Sequence, residues 1–190
     1  MSTYHHNNLK NDLLEYGLKM ISEEGVEKLS LRKLARICGV SEAAPYSHFK
    51  SKGHLLDEMK VYVADKLYNI LYEAFINSSK PDCILEIGKA YVEFAMKQPD
   101  YFNFLFNQAD INIDLSMKND GDFKPFIFFR DKSYEVYREL GFDDDSIKFG
   151  IVSMWTQVHG IAMIASMKNV AADFDWLDVL ERILVEKNIK

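Results

Sequence analysis

Leu29-Ser30-Leu31-Arg32-Lys33-Leu34-Ala35-Arg36-Ile37-Cys38-Gly39-Val40-Ser41-Glu42-Ala43-Ala44-Pro45-Tyr46-Ser47-His48-Phe49 is the stretch that decides the fold. Ser30 can accept a hydrogen bond from the first turn of a helix, and Leu29 and Leu34 stand at the spacing of a hydrophobic staple. Gly39 ends that helix after about two turns, because glycine enters the left-handed conformation without steric cost. Ser41 is then expected to cap a third short helix running to about His48, with Pro45 near the end of its tolerated first turn. Two short helices joined by the turn Cys38-Gly39-Val40-Ser41 fit the helix-turn-helix plan. Pro45 and Phe49, four apart, are expected to face inward, which leaves Glu42, Ala43, Ala44, Tyr46 and Ser47 to solvent or DNA. Small residues suit an element that must enter a major groove about 12 Å wide, where its first residues reach the base edges. Glu42 can accept from cytosine N4 or stand as a solvated acid at a helix N-terminus. Lys52 is placed to hold a phosphate at the start of the next helix.

Working outward, nearly every segment repeats with a period near 3.6 and none alternates as a strand does, so the expected class is all-α. Leu9, Leu13, Leu14, Leu18 and Ile21 form one face of a first helix that Gly25 can stop. Ser51 opens a long fourth helix with Leu55, Met59, Tyr62, Val63, Leu67, Ile70, Leu71 and Ala74 on one face. Beyond Pro81 a fifth helix carries Ile84, Leu85, Tyr91 and Phe94 up to Pro99, and a short aromatic helix follows. Residues 107–122 read as a long polar loop of the kind that is often mobile or functional. A helix from about Lys124 to Leu140 ends at Gly141. The next carries apolar residues almost all round from Ile147 to Met167, as a helix buried on several sides would. The last presents Trp176, Leu177, Val179, Leu180, Ile183 and Leu184. The expected division is a three-helix helix-turn-helix domain at 1–54 and a helical ligand-binding and dimerisation domain at 55–190.

The net charge of −6 looks wrong for a DNA binder until the chain is split. Residues 1–60 hold nine Lys/Arg and eight Asp/Glu with four of the five histidines, and the remainder holds 14 and 21. An acidic body behind a weakly basic front suits a protein that offers only its N-terminal end to phosphates. No apolar run reaches the roughly 18 residues of a membrane helix and no secretory leader is evident, so a cytoplasmic protein without membrane contact is expected. Cys38 and Cys83 have neither metal-ligand spacing nor a disulfide framework, so no metal site is expected and both are read as reduced and structural.

Along the whole motif the chain resembles the TetR family of bacterial regulators. The resemblance runs through Leu29–Ala35, Gly39-Val40-Ser41 and Ala44-Pro45-Tyr46-Ser47-His48-Phe49-Lys50-Ser51-Lys52 to Leu55-Leu56. The opening Tyr4-His5-His6, with Leu9-Lys10 and Leu13-Leu14, is similar to the start of one branch. Tyr91–Ala95, Pro99 with Tyr101-Phe102, and Trp155-Thr156-Gln157-Val158-His159-Gly160 resemble the same branch more loosely. Where the family usually has an acidic residue just after the lysine of helix four, this chain has Gly53-His54, a departure expected to weaken a cap. The resemblance implies a repressor that binds double-stranded operator DNA as a homodimer. It further implies that the last two helices form a four-helix interface and that a small-molecule effector entering the C-terminal domain weakens DNA binding. The residues it assigns to DNA are Ser30, Arg32, Ser41, Glu42, Ala43, Ala44, Tyr46, Ser47, His48 and Lys52.

For the effector, seven of the 13 phenylalanines lie between Tyr101 and Phe129. A pocket of Tyr101, Phe102, Phe106, Phe126, Phe129, Trp155 and His159 is therefore expected, since ligand sites are apolar cavities with a few polar groups. Aromatic positions at helical spacing are also what an ordinary core looks like. Gly150 and Gly160 within a helix suggest close helix packing, and the apolar surface around Leu180 and Leu184 suggests a two-fold seam. A nucleophile elbow, a phosphate-binding glycine loop and metal-ligand spacing are all missing, so neither an enzyme nor a cofactor is expected. A helical ligand-binding dimer that ignores DNA, or a small helical enzyme, would be the alternatives.

Overall fold

In a computed structural model, residues 9–79, 82–119 and 121–185 are described. The histidine pair at 5–6, and the part of the last helix expected beyond 185, lie outside them. Among the described residues there are eight α-helices, two short 3-10 segments and no strand.

Helix α1, Leu9–Glu24, buries Leu13, Leu14, Leu18 and Ile21 as its periodicity requires. Gly25 then breaks the chain into a 3-10 turn, Val26–Lys28, that the sequence did not announce. Helix α2, Leu31–Ile37, begins as expected: the Ser30 side chain accepts from the Lys33 N–H at 3.2 Å. Leu29 and Leu34 are both buried, as a staple demands. It ends on Gly39 at φ 68°. There the Val40 N–H reaches Ala35 O at 3.0 Å and the Gly39 N–H reaches Arg36 O at 3.2 Å, the paired bonds of a Schellman cap.

The element after the turn differs from expectation. It is a 3-10 segment, Ala44–Ser47, preceded by Ala43, and no side chain caps it. In an α-helix capped by Ser41 the first i→i−4 bond would come from residue 45, and proline has no N–H to give. The chain instead bonds Ala44 N–H to Ser41 O at 3.0 Å and Tyr46 N–H to Ala43 O at 3.1 Å, which is the tighter 3-10 pattern.

Helix α3, Lys52–Ile76, is unbroken and buries Leu55, Met59, Val63, Leu67 and Leu71. The chain forms two compact units: one takes residues up to 63 together with Asn103–Asp110, the other Ala64–Phe102 with 111 onward. By contacts the division falls between residues 63 and 64, partway along α3, whereas the division expected at 54 lies in the first turn of the same helix.

The C-terminal unit is built on α4, Cys83–Lys97, which packs against α6, Lys124–Glu139, α7, Asp144–Ala165, and α8, Trp176–Val185. Helix α5, Pro99–Asn107, has residues in both units. Asp143 caps α7 by accepting from the Ser146 N–H at 2.9 Å. Contrary to the all-round apolar pattern, α7 is buried along one side only, through Ile147, Ile151, Trp155, Val158 and Ala162. Phe149 is 68% exposed and Ile164 44%, because the chain supplies neighbours to one face of the helix. A side chain at Gly150 or Gly160 would meet nothing within 4 Å, so the close packing expected there is not made among the described residues. Leu180, expected at a seam, is fully buried, its Cδ2 3.7 Å from where a Cβ on Gly88 would stand. It belongs to the unit's own core.

The polar stretch before α6 is tied to itself. The Ser116 hydroxyl, and then the backbone N–H groups of Ser116 and Asn119, each at 2.8 Å, donate to Asp114 and hold its carboxyl down at about 2. The Asn112 N–H donates to the Asp122 carboxylate at 2.8 Å, and the Asp122 N–H returns a bond to Asn112 O at 2.9 Å.

Candidate nucleic-acid interface

Within the N-terminal unit, Phe49 is fully buried and Pro45 is buried, as their four-residue spacing requires. With those two fixed inward, the residues between them, Tyr46, Ser47 and His48, are exposed, as are Ser41, Glu42 and Ala43 before them, and Ala44 is half-buried. Tyr46 keeps 49% of its surface free, although a tyrosine ring could have been buried as core. The Ser47 hydroxyl donates to Ala44 O at 2.7 Å. That bond stiffens the segment and leaves the oxygen able to accept.

Arg32 and Arg36 stand one turn apart on α2, so their guanidinium groups share a face. Both converge on the one carboxylate of Glu42: Arg36 Nη2 and Nε lie 2.7 and 3.2 Å from its Oε1, and Arg32 Nε lies 3.8 Å from Oε2. The Arg36 hydrogen bond, then its charge, then that of Arg32, hold the Glu42 carboxyl below its usual range. Arg36 was not singled out in the sequence. Its four-residue offset from Arg32 was the available signal. Lys33, by contrast, is turned away to Glu24 at 2.7 Å.

Lys52 sends its ammonium to Val26 O at 2.7 Å and Glu27 O at 3.4 Å, which ties the first 3-10 turn to the start of α3. The cap expected to be weak at Gly53-His54 is made in another way. The His54 N–H donates to Ser51 Oγ at 3.1 Å, and His54 Nδ1 accepts from the Lys50 N–H at 3.1 Å. An imidazole lone pair thus takes the part of the carboxylate in a capping box, on the Lys50 N–H rather than that of Ser51.

This short outward segment, pinned by two inward side chains and flanked by arginines, has a recognisable counterpart. Residues 13–59 match the sequence profile described as bacterial regulatory proteins, tetR family. The N-terminal region is of the TetR family. The TetR match spans α1, the Ser30-capped helix, the turn and the first part of α3. A nucleoid occlusion factor SlmA from Mannheimia succiniciproducens is 29% identical over 89 residues, which is 46% of this chain. The match spans 41% of that relative's length. Among solved structures, a putative transcriptional regulator from Pseudomonas aeruginosa PAO1 superposes with TM-score 0.73 at 17% identity, covering 98% of this chain and 92% of the other. A TetR transcriptional regulator from Legionella pneumophila gives TM-score 0.66 at 19% identity over 97% and 99%. The all-α TetR-like fold thus extends over nearly the whole chain.

In the C-terminal unit the structure brings together Phe102, Phe126, Phe129, Trp155 and His159, and adds Tyr91. Trp155 stacks on His159 with centroids 5.5 Å apart and 14° between the planes, and meets Phe126 edge-on at 5.0 Å. Tyr91 packs on Phe102 at 5.6 Å and on Trp155 at 5.3 Å. Its hydroxyl lies 2.9 Å from His159 Nδ1. Burial pushes the Tyr91 phenol well up and the His159 imidazole down, so both groups are held neutral. Tyr101, half-buried, instead sets its ring 5.8 Å from the Lys66 ammonium, and Phe106 belongs to the other unit. The void beside Tyr91, Phe129 and Trp155 is about 10 Å³, room for a single water at most. A larger cavity of about 190 Å³ lies among Tyr137, Phe142, Ile147, Gly150, Met154 and Leu184.

Proposed function

We propose that this protein is a TetR-type transcriptional repressor that acts by binding rather than catalysis, in the cytoplasm, as a homodimer on two-fold operator DNA. The observation that carries the reading is the outward segment Ser41–His48, held rigid by Pro45 and Phe49 beneath it. Ala43, Ala44, Ser47 and His48 approach the base edges, while Ser30, Arg32 and Tyr46 serve the backbone; the Lys52 ammonium, held on Val26 O and Glu27 O, braces the turn beside them. The test is selection from a random duplex pool, followed by anisotropy titration across salt. Near-palindromic sequences with half-sites about one turn apart, and an affinity that falls linearly with log salt, are expected. Failure to bind any duplex at low salt would leave a helical dimer without a DNA function.

Dimerisation is supported by the face of α7 that the described residues leave uncovered, where Phe149 and Ile164 are exposed and a side chain at Gly150 or Gly160 would meet nothing within 4 Å. Such a face is self-complementary about a two-fold axis in an isologous dimer. Phe149→Asp with Ile164→Asp is expected to give folded monomers by light scattering, with duplex affinity reduced by more than tenfold. Dimers that survive both changes would place the seam elsewhere. A charge at Leu180 would instead unfold the unit, since that side chain is core.

The effector reading rests on the Tyr91–His159 pair within an aromatic surround. With so small a void, a ligand must open the cluster as it enters, and α3, which runs unbroken through residues of both units, is the element to carry that change. Weakening of operator binding needs only the usual coupling of about 1–3 kcal/mol.

A further inference from the structure

We propose that Arg32 and Arg36 form a phosphate site for the DNA backbone, and that Glu42 is its resident anion, displaced when a duplex binds. This assignment presupposes that the N-terminal unit binds duplex DNA, and it gives Glu42 a role distinct from base reading. Two guanidinium groups from one face of α2 converge on a single carboxylate at 2.7 and 3.8 Å, the arrangement an arginine pair makes around a phosphate. The three side chains are 72, 75 and 48% exposed, so the site opens to solvent. An exposed ion pair is weak and readily exchanged for another anion. Glu42 also stands at the start of the outward segment, two residues before Ala44, so a duplex that meets this segment must meet the carboxylate.

The consequence is selectivity. While Glu42 occupies the arginines, a duplex gains their charge only by paying for its displacement, and a poorly fitting sequence gains little in return. Glu42 therefore suppresses binding to DNA in general and is a brake rather than a reader.

The test uses the full chain and a random-sequence duplex of about three helical turns. Glu42→Gln, which keeps the shape and removes the charge, is expected to tighten binding about two- to fivefold per N-terminal unit. The slope of log affinity against log salt should steepen by about one per unit. Arg36→Ala should weaken binding to every duplex. In the Arg36→Ala background Glu42→Gln should gain less than in the native chain, a non-additivity that assigns the effect to the pair. Circular dichroism checks that the exposed substitutions leave the fold intact. Unchanged affinity and slope for Glu42→Gln, with the native chain still binding duplexes, would overturn the brake while leaving the DNA reading in place. A change confined to preference among selected sequences would make Glu42 a base reader. A native chain that binds no duplex would remove the DNA reading and this site with it.

Discussion

Phe49→Ala is expected to destabilise the N-terminal unit by about 3–5 kcal/mol and to abolish duplex binding at physiological temperature. The ring is fully buried, with His48 and His54 at its margins, each 6.2 Å away between centroids. It lies directly beneath the outward segment, and the Phe49 N–H bonds to Pro45 O at 2.9 Å. Truncation removes the transfer free energy of the ring and leaves a cavity under the one element whose rigidity the interface needs. A loss of that size takes a large share of the roughly 5–15 kcal/mol that holds a domain together. Urea melts followed by circular dichroism measure it, and Tyr46→Ala is the paired control. Tyr46 is 49% exposed, so its loss should change stability by about 0.5 kcal/mol or less while still weakening binding. Equal destabilisation by the two substitutions would show that the segment is not divided into an inward and an outward side.

What the sequence made legible was local. The Ser30 cap, the Leu29–Leu34 staple and the Gly39 stop each depend on residues within a few positions, and each has the expected geometry. The departure at Ser41 is also local: Pro45 lacks the N–H that would make the first i→i−4 bond of a helix capped there. At Gly53-His54 an imidazole nitrogen accepts where an acid is the usual acceptor. What stayed hidden depends on separation in the chain or on unfilled space. Tyr91 and His159 are 68 residues apart, and no periodicity links them. The Arg36–Glu42 pair spans a turn that leads into a 3-10 segment rather than the expected α-helix. On α7 apolar residues run almost all round but only one side is buried, because a pattern does not say whether the neighbour covering each face belongs to the same chain. Nor can a count of phenylalanines say whether aromatic rings enclose a cavity or fill it.

Trp155→Ala decides that last question, because a packed core and a preformed pocket answer it oppositely. The side chain is 8% exposed and touches Tyr91, Phe126, Phe129 and His159. With a void of only about 10 Å³ beside it, the ring is packed, and its truncation is expected to cost about 3–5 kcal/mol. The space created has the shape of the indole removed, and apolar cavities of this kind take up small aromatic molecules. Added indole is therefore expected to raise the melting temperature of the variant and not of the native chain. The stabilisation should approach about 2.7 kcal/mol when free indole is a hundredfold above its dissociation constant. His159 supplies an independent reading. Burial holds its imidazole below the ordinary range, so replacing the stacked indole with solvent should move its titration upward, and filling the cavity should move it back down. Both shifts are visible in the imidazole proton resonances. A preformed pocket would instead give a Trp155→Ala variant within about 1 kcal/mol of the native chain, an unmoved His159, and indole stabilising both proteins alike. With a packed core, an effector enters only by displacing side chains that already touch one another. The free energy of that displacement is then what makes the liganded state structurally different from the one that binds DNA.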